Sequence, residues 1–206
     1  MSTQLSQLIN GAFADVTFIF TNKNHLKVDK ISVHKAILSL RSPVFAKMFT
    51  LSMRESLQSE IVLPEEDLLI FQELIHYIYT DSYHSSKSDD NIHFKQELLA
   101  LASQYQVKGL MHQLEIELSS ALTLDNCVQM LIFSDAIFAN ELKKNCLQFI
   151  AMNYEALSSE ETLHALSNDL QSQIEQFKCS VYRKGFFKVH SGNNSDKRGF
   201  KLCIIS

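Results

Sequence analysis

Val33-His34-Lys35-Ala36-Ile37-Leu38-Ser39-Leu40-Arg41-Ser42-Pro43-Val44-Phe45-Ala46-Lys47-Met48-Phe49 is the stretch that decides the fold. It leaves a β-branched run and turns helical from His34 to Leu40. Ser42 stands where a hydroxyl can cap a second helix, and Pro43 takes its first position, where the missing N–H is no loss. That helix reads on to about Phe49. Upstream, Asp15-Val16-Thr17-Phe18-Ile19-Phe20 reads as a strand, Thr21-Asn22-Lys23-Asn24 is turn chemistry, and Leu26 to Val33 reads as a second strand. Its apolar phase slips at Asp29-Lys30, which predicts a bulge or a lengthened hairpin. Downstream, Glu60-Ile61-Val62-Leu63 is a third short strand, ended by Pro64. At the front, Leu5, Leu8, Ile9 and Phe13 fall at near-helical spacing, a short amphipathic helix from Gln4 to Phe13.

The rest reads as helices. Leu68, Phe71, Leu74, Ile75 and Ile78 share one face; Phe94, Leu98, Leu101, Ala102 and Tyr105 share another; Leu110, Leu114, Leu118 and Ala121 share a third. The polar, Ser-rich run from Asp81 to Asn91 between the first two is an exposed loop. Thr123 is placed to cap a helix to about Phe138, and Asn140 another to Tyr154, an antiparallel pair joined by a tight turn. Ser158 with Glu161 forms a capping box for a last helix carrying Leu163, Leu166, Leu170, Ile174 and Phe177. No repeat of solenoid type is visible. This order gives an α+β domain over residues 1–122, an all-α helical extension over 123–178, and a tail over 179–206.

Composition narrows the class. Of 206 residues, 46% are hydrophobic and 20% charged, with 5 Gly and 2 Pro, which excludes collagen-like, disordered and disulfide-scaffold chains. No apolar run is long enough for a membrane span, and the N-terminus lacks a secretory pattern. Cys127, Cys146, Cys179 and Cys203 are widely spaced, as expected of reduced thiols in the cytosol or nucleus. Residues 179–206 hold six basic residues against one acid, whereas residues 1–178 hold 13 basic and 22 acidic. A body that acidic argues against nucleic-acid binding.

In sequence, Asp15–Phe18, Val33–Leu38, Arg41–Phe49, Ile78-Tyr79-Thr80-Asp81 and Leu98–Tyr105 resemble the signature of the BTB/POZ domain, a small mixed sheet flanked by a helical cluster. Leu122–Asn126 and the two helices after it resemble the short BACK-like extension of the speckle-type POZ subgroup of cullin adaptors. The resemblance implies a homodimer, or a pairing with another BTB protein, in which Leu5, Leu8, Ile9 and Phe13 meet their copies across a two-fold axis. The alternative is a helix that caps its own domain. Family members place Asp15 and Lys35 in a buried charged pocket near the dimer groove. His34 reads as a partly buried side chain that helps place the following helix.

In relatives that bind a cullin scaffold, the loop after the Ser42-capped helix carries a hydrophobic residue, any residue, then Glu. Met53-Arg54-Glu55 fits that pattern: a flexible thioether suits an irregular apolar cleft, and a carboxylate suits its rim. Tyr79 lies where a family aromatic also faces the scaffold; packing at the helix end is its other reading. The function implied is an adaptor joining a ubiquitin-ligase cullin to a substrate protein of unknown identity. The competing reading is a non-ligase scaffold or a truncated dimerisation partner.

No G-x-S-x-G, H-E-x-x-H, G-x-x-x-x-G-K-[ST] or G-x-G-x-x-G occurs, so no catalytic residue, enzyme activity or cofactor is expected. The histidines are scattered without zinc-site spacing, His84 and His93 bracketing the Ser-rich loop, and no metal is expected. Cys146, beside Lys143 and Lys144, reads as a small buried hydrophobe rather than an electrophile sensor. The last four residues, Cys203-Ile204-Ile205-Ser206, have the C-a-a-X form that predicts farnesylation of Cys203. With the basic residues upstream, that would add peripheral membrane contact to a cytoplasmic protein; a coincidental match in a basic tail is the alternative.

Overall fold

The fold is seen in a computed structural model that describes residues 9, 11, 13–21, 28–50, 59–63, 67–84, 92–157, 163 and 166–183. Three strands form one mixed sheet in the order β2-β1-β3: β1 is Val16–Thr21, β2 is Val28–Val33 and β3 is Glu60–Leu63. β1 runs antiparallel to β2, from Val16 opposite Val33 to Thr21 opposite Val28, and parallel to β3, from Thr17 opposite Glu60 to Phe20 opposite Leu63. The slip predicted at Asp29-Lys30 does not occur. The ladder pairs residue for residue through Asp29 and Lys30. One phase is kept because Ile31 and Val33 must both reach the core, which leaves Asp29 opposite Phe20, one pair before the ladder's end. Lys30 pairs with Glu60 Oε1 at 2.9 Å.

Val16, Phe18 and Phe20 of β1 face the helices and are buried. Their rings seed an aromatic cluster: Phe18 lies 5.0 Å from Phe71 and 5.8 Å from Phe45, and Phe45 stacks on Tyr105 at 4.5 Å. Each such side chain contributes about 1.5–3 kcal/mol by leaving water. α1 (Lys35–Arg41) and α2 (Pro43–Thr50) form the corner between β2 and β3. The predicted cap holds: Ser42 Oγ accepts from Phe45 N at 3.1 Å. The same hydroxyl donates to the Tyr105 carbonyl at 2.5 Å, tying this corner to the helical layer.

α3 (Leu68–Thr80) begins at Asp67, whose carboxylate accepts from Leu69 N and Ile70 N, and ends at Asp81 in the left-handed region with φ 58°. α4 (Ile92–Gln104) and α5 (Lys108–Ser120) form one hairpin, α6 (Cys127–Ala136) and α7 (Asn140–Met152) a second. A short α8 (Tyr154–Leu157) follows, and α9 (Asn168–Arg183) packs on α7.

Three predicted helix starts move. α6 begins at Cys127, not at a Thr123 cap, because the Asn126 side chain accepts from Thr123 N at 2.8 Å and donates to Ala121 O at 2.9 Å, holding 121–126 as a turn. Asn140 is the first residue of α7 rather than its cap. α9 starts only after Leu163 and Leu166, with Ser167 Oγ accepting from Leu170 N at 3.4 Å; the expected Ser158/Glu161 box lies outside the described residues. Backbone helix also continues to Arg183, so the basic tail begins helical.

The two hairpins are versions of one unit, which the sequence reading missed. One constant shift carries Gln106 onto Phe138, the left-handed residues of the two turns, at φ 53° and 58°. The same shift carries the Val107 N to Ala102 O bond onto Ala139 N to Ser134 O, both 2.9 Å, a Schellman closure. It also carries seven buried positions, Leu98, Leu99, Ala102, Val107, Leu110, Leu114 and Leu118, onto buried Met130, Leu131, Ser134, Ala139, Leu142, Cys146 and Ile150, whereas buried Leu101 and Tyr105 fall on half-buried Phe133 and Ile137.

Candidate functional site

Of the predicted site residues, Asp15, Lys35 and Tyr79 lie at or beside the α1–α2 corner. α2 ends at Thr50, whose hydroxyl bonds back to the Ala46 carbonyl. Met53 and Glu55 follow it in sequence and lie outside the described residues. Half-buried Phe49 stacks on Phe45 at 6.0 Å, and the Lys35 ammonium lies 5.6 Å from the Phe49 ring centroid.

Tyr79 is brought to this corner from α3, but as a packing residue: it is only 3% exposed. Its Oη accepts from His34 N at 2.9 Å and bonds to His34 Nδ1 at 2.9 Å. Burial raises the Tyr79 pKa, partly offset by the bond from His34 N. The hydroxyl therefore fastens the start of α1 to the end of α3, a link no local pattern announces. Arg41 and Asp81 form an ion pair across the same junction.

Asp15 and Lys35 do meet, through the Lys35 backbone. Asp15 Oδ1 accepts from Lys35 N at 2.7 Å, satisfying the first N–H of α1. Within one chain this carboxylate is exposed, not buried. Phe13 is 93% exposed and sits at φ 69°, a conformation bulky residues seldom adopt. Ile9 is half-buried and lines a pocket of about 250 Å³ with Ile31, Gln72, Glu73, Ile75, His76 and His84. Leu5, Leu8 and Cys203 lie outside the described residues. Leu40 of α1 is 84% exposed, an apolar side chain the sequence reading did not single out. Among the described residues no helix is long and apolar enough to cross a membrane.

With this geometry in place, known proteins can be compared. The family model for the BTB/POZ domain matches residues 5–122. The chain belongs to the BTB/POZ family. Its small mixed sheet and helical cluster are that fold, and the family is one of protein-interaction and dimerisation modules. Among similar proteins, Inhibitor of Bruton tyrosine kinase from Xenopus laevis is 32% identical over 153 residues, covering 73% of this chain and 11% of that protein. Inhibitor of Bruton tyrosine kinase from Homo sapiens is 30% identical over 151 residues, again 73% of this chain and 11% of the relative. TD and POZ domain-containing protein 2 from Mus musculus is 31% identical over 173 residues, 76% of this chain and 46% of the relative. The chain thus spans less than half the length of these relatives. The matched stretches cover more of the chain than the BTB/POZ model does.

Beyond the corner, the hairpins are joined by a residue the sequence reading passed over. Glu115 of α5 is the one buried charged side chain among the described residues, at 7% exposure. Its Oε2 accepts from Leu142 N at 2.9 Å, so the family domain supplies the N-terminal cap of α7. Asn145 Nδ2 donates to Ser119 Oγ at 2.9 Å one turn further on.

Proposed function

We propose that the chain is a dimeric adaptor that presents a cullin ubiquitin-ligase scaffold to a partner protein, with residues 123–178 as a BACK-like extension of the kind found in the speckle-type subgroup. The observation that carries this reading is the place of Met53-Arg54-Glu55, directly after a helix whose start is pinned by Ser42 to the Tyr105 carbonyl. The motif follows that helix by three residues in sequence, the place it takes in relatives that bind a cullin scaffold. The extension supports the reading because Glu115 and Ser119 lock its second helix onto the family domain, giving one continuous surface. The test is binding of the cullin N-terminal region to wild type and to Met53→Asp with Glu55→Lys. The adaptor predicts micromolar or tighter binding that the double variant abolishes; no binding by wild type sinks it.

One observation favours the non-ligase scaffold: Tyr79 is committed to His34 and turned away from solvent, which removes one of the three expected scaffold contacts. That reading predicts dimerisation without cullin binding. For the dimer, Phe13 and Leu40 are the two most exposed large apolar side chains among the described residues, and light scattering should return twice the chain mass.

A further inference from the structure

His76 on α3 and His84 just beyond its end stand eight residues apart, and the turn at Asp81 stacks their rings at 4.2 Å between centroids, planes 33° apart. Glu73, one turn before His76, holds His84 twice: Oε2 accepts from the His84 backbone N at 2.9 Å, and Oε1 lies 3.2 Å from Nδ1. A carboxylate only accepts, so Nδ1 is the donor to Glu73, and Nε2 is the ring nitrogen that faces away from that bond. That is how metal-binding histidines are usually oriented, by a carboxylate on the ring nitrogen that faces away from the ion. The His84 side chain is 69% exposed, while Glu73 is 19% exposed, so the orienting group is sheltered and the imidazole is open to solvent. Both imidazoles line the pocket of about 250 Å³ described above, which has room for the waters that complete a coordination sphere.

We propose that His76 and His84 form a two-histidine site for a divalent ion that prefers imidazole, zinc or copper, with Glu73 orienting His84 from behind. Among the described residues no group of three or more His, Cys, Asp or Glu could hold a metal ion, so the site proposed has two protein nitrogens only, with water in the remaining positions. An ion held between the two stacked imidazoles would staple α3 to His84, just beyond its end. A bland stack of two imidazoles explains less. It buries little apolar surface, and it gives no reason for a sheltered carboxylate to hold His84 by both backbone and ring.

The test uses the full chain, stripped with chelator and titrated separately with Zn²⁺ and Cu²⁺, following affinity by calorimetry and the His76 and His84 ring protons by NMR. Wild type should bind one ion at this site, with both ring signals shifting together. His84→Ala and His76→Ala should each weaken that binding at least tenfold. Glu73→Gln, which keeps the size but not the charge, should weaken it about 10–100-fold, the usual effect of losing an orienting partner. Melting temperature should rise with metal concentration in wild type and stay flat in His84→Ala. His84 is exposed enough that its variant folds; melting in chelator confirms this, and His84→Gln serves as a second variant. Unchanged affinity in His84→Ala, or ion binding that shifts neither ring and instead protects cysteine thiols, overturns the proposal.

Discussion

Replacing Glu115 is the sharpest probe of how the extension is held. The carboxylate is 7% exposed and its Oε2 lies 2.9 Å from Leu142 N, in the first turn of α7. A hydrogen bond to a charged group contributes about 1.5–3 kcal/mol. A carboxylate at a helix N-terminus adds about 0.3–1 kcal/mol through the helix dipole, and up to ~2 where partly buried. The two terms describe overlapping physics, so they do not sum in full. Glu115→Ala, which leaves the Leu142 N–H without its acceptor, should cost about 2–4 kcal/mol. Glu115→Gln keeps an acceptor and loses the charge, and about 1–2 kcal/mol is expected. Urea denaturation followed by circular dichroism gives the totals, and amide exchange at Leu142 reports the bond itself. A second reading comes from the slope of the transition: if α7 and α9 come loose first, the alanine variant shows two steps where wild type shows one. Stability of Glu115→Ala within about 0.5 kcal/mol of wild type, with Leu142 still protected, would refute the capping role.

Four further outcomes are expected. Gly109→Ala should stabilise α5 by about 1 kcal/mol from helix propensity, yet its Cβ would meet Tyr77 Oη at 2.7 Å; thermal melts should show that gain only in the Tyr77→Phe background. Tyr79→Phe removes the acceptor for His34 N and should cost about 1 kcal/mol, with faster exchange of the His34 amide by NMR. Burial pushes the Cys146 thiol pKa up to about 12, so iodoacetamide at pH 8 should label Cys146 in urea and leave it untouched in the native chain. At Glu117, burial raises the pKa, but bonds from Tyr83, Lys95 and Gln113, with the Lys95 charge, outweigh it and hold the carboxyl below 4.5. Its contribution is therefore present above pH 4.5 and lost as pH falls through the lowered native value, so Glu117→Gln should flatten the acid limb of a stability–pH curve.

Legibility followed range. Ser42-Pro43 announced α2, and Glu60–Leu63 announced β3, because caps and short apolar runs are decided within a few residues. What the sequence hid was decided at a distance. Nothing near Asn140 shows that the acceptor for the first turn of α7 comes from Glu115, and nothing near Tyr79 shows that its hydroxyl is spent on His34. Asp15 was legible as a residue that meets Lys35, but not as one that meets its backbone. His76 and His84 escaped because one is helical and the other follows the left-handed stop at Asp81, which folds the chain back onto α3. The site's motif was legible in the other sense: Met53 and Glu55 stand out by their place after α2, before any contact is known.

The hidden repeat shows why burial, rather than identity, carries the architecture. Leu99 with Leu131, and Leu110 with Leu142, are the same residue in both hairpins, whereas elsewhere Ala102 answers to Ser134 and Leu114 to Cys146. Only the pattern of inward positions is shared, and many small and large side chains satisfy it. The turn gave no signal either, since a left-handed position usually advertises itself as Gly or Asn, and here it holds Gln106 and Phe138. Stacked units of this kind bury a continuous core only through their neighbours, so the second hairpin needs the first. Glu115 and Ser119 meet that need with polar bonds at the seam, while Leu118 and Ile150 fill the apolar interior. The family domain ends at residue 122 by comparison with known proteins. Physically its last hairpin is the first layer of the stack that continues beyond it.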